Sequence, residues 1–295
     1  LVVAASATVS PTTETVQFNP SAAAGTISGS GTILVNRTTA TADYSTQYRF
    51  STNTLASLTV NYNGTGAQNV NSFTYGTLRT SGSGTKTAQG NLTVNDGLDV
   101  GVGTTLTMGS ANRLIAGTAP TYTVNGTLLT SVPTATSSSP IPSGATWNGS
   151  GTVEYGTLTG AQTVVAGTYN NLQLDNTSGV NAASGDINVG GTLTLGKLSL
   201  GTANLILADG ASVSGASASN YVVTASTGNV RKVFSANGTF NFPVGDATNY
   251  SPVSINMSGS GYSSAYTQAR VTNSKHPSNA SATDYLNRYW TVGTS

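Results

Sequence analysis

The chain has 295 residues, of which 37% are hydrophobic and only 7% charged, against about a quarter charged in an ordinary soluble domain. Ser and Thr supply about 29% of positions, so the surface of any fold must be neutral and hydroxyl-rich. A net charge of +1 and 13 tyrosines argue against disorder, and 11 basic against 10 acidic residues, with no basic run, exclude an electrostatic nucleic-acid binder. The absence of cysteine removes disulfides, thiolate metal sites and cysteine catalysis together. No segment approaches the roughly 18 consecutive apolar residues of a membrane helix.

Along the chain, Leu1-Val-Val-Ala-Ala-Ser-Ala reads as the tail of a processed signal or as a cut inside a longer protein. The stop after Trp290-Thr-Val-Gly-Thr-Ser295 favours the cut. Residues 1–24 are expected to form an N-terminal strand or arm, with Leu1, Val2 and Val3 as candidate assembly residues. Two diverged repeats follow. Gly29-Ser-Gly-Thr-Ile33 recurs as Gly149-Ser-Gly-Thr-Val153, and Gly66-Ala-Gln-Asn-Val70 recurs as Gly160-Ala-Gln-Thr-Val164. Tyr75 and Leu78 then correspond to Tyr169 and Leu172. Further on, Leu92/Val94 and Leu98/Val100 correspond to Ile187/Val189 and Leu193/Leu195, and Leu106-Thr-Met108-Gly-Ser-Ala-Asn112 to Leu198-Ser-Leu200-Gly-Thr-Ala-Asn204. The first copy spans 25–130, with an insertion at about 34–61 that carries Tyr44, Tyr48 and Phe50. Residues 131–144 form a Ser/Thr/Pro loop, and the second copy spans 145–230.

Within both copies apolar residues alternate at the strand period of two and no helical stripe competes. Asn95-Asp-Gly97, Asn125-Gly126, Gly190-Gly191 and Asp209-Gly210 tolerate positive φ, which predicts a sharp turn every six to eight residues. Strands this short suit a parallel β-helix, of the right-handed type, with coils of roughly 20 residues stacked about 4.8 Å apart. Tandem β-sandwiches are the alternative. From 231 the strands lengthen and gain aromatics, as in Phe240-Asn-Phe242-Pro-Val-Gly245 and Leu286-Asn-Arg-Tyr-Trp290. This predicts an antiparallel, sandwich-like module over 231–295 that caps the last open coil.

Gly-Ala-Gln-x-Val, Tyr169-Asn-Asn-Leu172, Gly90-Asn-Leu-Thr-Val94, Phe242-Pro-Val-Gly245 and Asn287-Arg-Tyr-Trp290 together resemble the repetitive, adhesin-like surface proteins of the Bacteroidota. The resemblance covers about 25–292. It implies secretion, through the type IX route, and surface attachment or a fibrous structural role; the sorting domain that ends many such proteins is not evident.

Residues for chemistry are sparse. His276, the single histidine, sits in the polar stretch Ser274-Lys-His-Pro-Ser278 with no assignable nucleophile or carboxylate, and reads as a loop residue. Glycoside hydrolysis usually needs two positioned carboxylates, whereas these acids are scattered. The close pair Asp96 and Asp99 reads as turn support, and as the one candidate for a low-affinity Ca²⁺ site. Gly82-Ser-Gly84 and Gly101-Val-Gly103 lack a phosphate-loop lysine and read as turns. Asn36, Asn63, Asn91, Asn125 and Asn237 lie in Asn-x-Ser/Thr triplets, which a chain rich in Asn and hydroxyls produces frequently. No catalytic residue and no cofactor is assigned. The expected function is a noncatalytic extracellular structural or adhesive protein, able to associate with itself or with a glycan; a polysaccharide-binding or polysaccharide-cleaving β-helix is the second hypothesis.

Overall fold

A computed structural model describes residues 1–21, 24–38, 43–108, 115–117, 121–156, 160–176, 179–263 and 265–295. The chain is almost wholly β and winds as a β-solenoid of about ten turns, with antiparallel strands near the C-terminus. Tandem sandwiches are excluded by the pairing, because successive short strands stack parallel. Two compact units are present: 1–132 with 139–154, and 133–138 with 155–295. Among the described residues no helix is long and apolar enough to cross a membrane.

In the first unit, one ladder carries Thr32–Val35, Thr59–Tyr62, Thr74–Thr80, Leu92–Val100 and Thr121–Val124 in parallel. Its inward residues stack in register as Ile33, Val60, Leu78, Leu98, Tyr122 and Trp147, all buried. Burying each such side chain contributes about 1.5–3 kcal/mol relative to exposure. A second ladder holds Gln68–Val70, Gly84–Ala88, Thr104–Thr107 and Thr127–Thr130.

Residues 1–21 carry strands, as expected, but not as a separate arm. Val2–Val3 pairs parallel with Ser28–Gly29, Thr8–Val9 pairs with Thr32–Ile33, and Phe18 bridges to Tyr48, so this segment is a coil like those after it. The cause is local: Val3 alternates into the core, where its side chain is 1% exposed. The insertion at 34–61 is likewise wound into the solenoid through Thr52–Asn53 and Thr59–Tyr62, and adds the short helix Asp43–Gln47; residues 39–42 lie outside those described.

The shared Gly-Ser-Gly-Thr entry has a backbone reason. Gly29 has φ +129° and Gly149 φ +96°, and a Cβ on either would come within 2.0 Å of the Val3 carbonyl oxygen or 2.5 Å of that of Val124. Only glycine lets the chain pass so close to the preceding coil.

The copies also share a bulge. Val94 faces Tyr75 and Leu98 faces Leu78, four steps against three; Val189 faces Tyr169 and Leu193 faces Leu172, again four against three. Asn95-Asp96-Gly97, predicted as a turn between two strands, is therefore a bulge inside the continuous strand Leu92–Val100. Gly190-Gly191 does separate two strands, Ile187–Val189 and Thr192–Thr194. Residues 109–112 of the matched Leu106–Asn112 stretch lie outside those described.

In the second unit, coil pairing runs past 230. Leu205–Leu207 pairs parallel with Val230–Lys232, and Val222–Val223 with Val244–Gly245. The outer side of Val230–Phe234 then takes Ala265–Thr272 antiparallel, which takes Tyr289–Thr294 in turn. Gly238–Phe242 and Val253–Met257 form a separate antiparallel pair. The aromatic strands thus occupy the open backbone edge of the parallel strand Val230–Phe234.

Candidate functional site

Because strand side chains alternate, parallel in-register stacking converts each repeated outward residue into a column. On the first ladder Thr8, Thr32, Thr59 and Thr77 follow one another, then Gly97 and Thr121. These threonines are exposed or half-buried, and the hydroxyls of Thr8, Thr32, Thr59 and Thr77 take no partner among the described residues. The second ladder carries Thr85, Thr105 and Thr127 beside Asn69, Thr87, Thr107 and Leu129. In the second unit Thr192 and Thr194 stack on Ser212 and Ser214, with hydroxyl contacts of 3.4 and 3.2 Å. On the first ladder one outward pair of opposite charges cancels: Arg79 stacks on Asp99 and donates to it at 2.8 Å.

That contact involves one half of the candidate calcium pair. Asp99 is engaged by a guanidinium, Asp96 stands exposed in the bulge, and among the described residues no three His, Cys, Asp or Glu side chains converge on a metal position. His276 is exposed; its Nδ1 accepts the Ser278 N–H at 3.2 Å and its ring meets Tyr289 edge-on at 4.8 Å. Of the assembly candidates, Leu1 and Val2 are exposed at 47% and 76%, whereas Val3 is core. The Leu1 ammonium donates to the Thr26 carbonyl at 2.7 Å.

Several further carboxylates are held by donors of a following segment or, for Asp246, of its own loop. Asp43 is buried and accepts the Asn69 N–H at 2.6 Å; Asp186 takes the Asn204 N–H at 2.7 Å; Asp209 takes the Ser235 N–H and hydroxyl at 2.9 and 2.6 Å. Asp246 accepts from the Thr248 and Asn249 N–H groups, the Thr248 hydroxyl and Arg288. Burial alone would raise its carboxyl, but these donors outweigh it and hold the group at about 2.

The interior contains polar devices that composition does not reveal. Tyr62 and Tyr75 meet hydroxyl to hydroxyl at 3.2 Å, Tyr75 donates to the Asn71 carbonyl at 2.6 Å, and the Asn71 N–H donates to Tyr62 at 3.0 Å. Tyr155, Tyr169 and Val165 repeat all three contacts at 3.2, 2.6 and 3.0 Å. Desolvation raises the tyrosine pKa values in both pairs, Tyr155 to about 12, so the hydroxyls remain protonated. Lys86 is enclosed and caps the carbonyls of Gly64, Gly66 and Ser83 at 2.7, 2.9 and 3.0 Å. Burial lowers its pKa to about 8, and Asp43 opposes that shift. Lys232 does the same for Ala208, Asp209 and Ala211. Thr85-Lys86-Thr87 carried a signal for this, since the parity that puts both threonines outward puts the lysine inward.

Taken together, the interior stiffens the coils while the exterior presents neutral rows of hydroxyls and amides. Comparison with family models, with curated proteins and with solved structures found no match.

Proposed function

We propose that the chain is a noncatalytic structural or adhesive protein of the bacterial cell surface, working by presenting stiff, neutral faces to a second copy or to an extracellular glycan. The observation that carries this is the in-register columns, Thr8-Thr32-Thr59-Thr77 on one ladder and Thr85-Thr105-Thr127 on the next. A periodic array of uncharged donors and acceptors suits a repeating partner and lacks the isolated, perturbed acid–base pair that marks catalysis. Secretion, through the type IX route, rests on the resemblance of the repeat motifs to Bacteroidota surface proteins.

A fibre would form by strand addition at an open edge, with the exposed side chains of Leu1 and Val2 beside the contact. Electron microscopy of the purified chain at high concentration, alone and with glycan, is the test. Filaments or glycan-bound particles are expected, and isolated particles under both conditions would refute the reading. The binding half of the polysaccharide hypothesis is favoured by a specific cavity, described next. The cleaving half has no comparable support, because Asp43, Asp99, Asp186, Asp209 and Asp246 are each engaged by a local structural donor.

A further inference from the structure

Within the second unit a cavity of about 380 Å³ is lined by Asn176, Gly179, Val180, Lys197, Ser219 and Asn220. Its size falls in the lower part of the range of ligand sites, roughly 300–1,000 Å³. The lining unites one cation, two primary amides, a hydroxyl and the partly exposed Val180 side chain. Each group is positioned. Lys197 Nζ donates to the Ala247 carbonyl at 2.9 Å and lies 4.8 Å from the centre of the Tyr221 ring, which fixes the ammonium and leaves two of its three N–H bonds for a ligand. No carboxylate pairs with it: among the described residues the ion pairs are Arg79–Asp99 and Arg288–Asp246. Ser219 and Asn220 project from a turn held by Ser217, whose Oγ accepts both of their N–H groups at 3.3 and 3.1 Å.

The residues next to this lining turn into the core. Asn181 follows Val180 and Tyr221 follows Asn220, and both side chains are completely buried. Among the described residues the Asn181 amide nitrogen and the Tyr221 hydroxyl have no hydrogen-bond partner, although the Asn181 oxygen accepts from Asn176 at 3.3 Å. Buried polar atoms without partners are rare in folded proteins, but neither of these residues lines the cavity, whose ligand contacts come from Lys197, Ser219 and Asn220.

We propose that this cavity binds a carboxylate-bearing sugar, the uronate unit of an acidic polysaccharide. The Lys197 ammonium matches one carboxylate by a charge-assisted hydrogen bond. Asn220 and Ser219 match ring hydroxyls as donors and acceptors, Val180 covers a C–H face, and Asn176, whose amide donates to the Gly160 carbonyl and to Asn181 Oδ1, shapes the wall. A phosphate or sulfate ester fits less well, since those groups are held by arginine forks or by nests of backbone N–H groups and this lining offers a single ammonium. A neutral sugar would leave the ammonium without a counterpart. The proposal rests on the adhesive half of the functional reading and supplies its ligand class.

The test is an amide NMR titration of the full chain with D-galacturonate, with D-galactose and inorganic phosphate as separate probes. Saturable shifts are expected at Gly179, Val180, Lys197, Ser219 and Asn220 with galacturonate, and about tenfold weaker binding of galactose. Lys197→Met should weaken galacturonate about tenfold and leave galactose unchanged, with the remaining spectrum intact as evidence of folding. Asn220→Ala should weaken both sugars alike. Absence of saturable shifts at these amides, equal affinity for galacturonate and galactose, or displacement by an equal concentration of phosphate would overturn the proposal. So would a Lys197→Met variant that binds galacturonate as tightly as the parent. A chain that fails here yet co-sediments with neutral glycans loses this pocket assignment and keeps its adhesive role.

Discussion

The tyrosine pair of the first unit and that of the second make the same three hydrogen bonds among different neighbours. In the first, the residue between the hydroxyls is Asn71; in the second it is Val165. The substitution is tolerated because the device uses only the backbone there, the N–H as donor to one tyrosine and the carbonyl as acceptor from the other. Around the first pair the inserted segment adds Tyr44, whose ring lies 5.2 Å from that of Tyr48 and 5.5 Å from that of Phe73, and the buried Asp43. The second pair has no equivalent insertion. The lesson is that the repeat preserves a hydrogen-bond geometry and a bulge, while the identity of residues whose side chains leave the core drifts.

The comparison can be broken most forcefully at the buried lysines. Lys86→Met removes the buried donor that three carbonyls share, of which, among the described residues, only that of Gly64 keeps a second donor in the Ser83 N–H at 3.3 Å, and should cost about 3–5 kcal/mol in urea unfolding. Lys232→Met should cost less, because its site keeps some solvent access; equal losses would show that enclosure does not set the penalty. Next in size, Tyr75→Phe and Tyr169→Phe each remove one hydroxyl from an otherwise intact pair and should cost about 1–3 kcal/mol. The two losses should agree within about 1 kcal/mol, and a loss confined to one copy would show that the shared geometry does not carry shared energetics.

Acid separates the units in a different way. Asp246 belongs to the second unit and is held at about 2, well below an unfolded aspartate. Between about pH 4 and 2 the unfolded chain binds this proton more readily, so about 2 kcal/mol of stability present above pH 4 should be lost as the pH falls. Asp246→Asn should flatten that part of the stability profile; an unchanged slope would remove Asp246 as its source. The smallest effect is expected from Asn71→Val, which gives the first copy the residue of the second. It forfeits two exposed contacts, Asn71 Nδ2 with Ser45 Oγ at 2.8 Å and the Ser45 N–H with Asn71 Oδ1 at 3.4 Å, and should cost less than about 1 kcal/mol by thermal unfolding.

Much of this fold is legible in the sequence because parallel stacking makes periodicity visible. The alternation in Thr32-Ile-Leu-Val35 and Thr59-Val-Asn-Tyr62 states which face each residue takes, and the repeated Gly-Ser-Gly-Thr marks where one coil crosses close over another. What misleads is local chemistry with two outcomes. Asn95-Asp96-Gly97 suits a turn, yet the adjoining Val94 and Leu98 both find partners on Thr74–Thr80, and pairing absorbs the extra residue as a bulge. Leu1-Val2-Val3 has the look of a sticky arm, but Val3 gains more inside the first coil. Boundaries at 24 and 231 are hidden for the same reason, since coil pairing depends on neighbours distant in sequence. The cavity beside Lys197 is not legible at all: its lining comes from residues 176, 179–180, 197 and 219–220 that only winding brings together.

The central claim is that neutral, periodic faces make contact without chemistry. Co-sedimentation of the chain with insoluble neutral and acidic polysaccharides, with reducing ends counted in the same tubes, addresses it most directly. The account predicts that the chain enters the pellet and releases no new reducing ends, and that a Thr85→Glu, Thr105→Glu, Thr127→Glu variant that still folds is retained less. New reducing ends, or a charged variant that pellets as well as the parent, would contradict it.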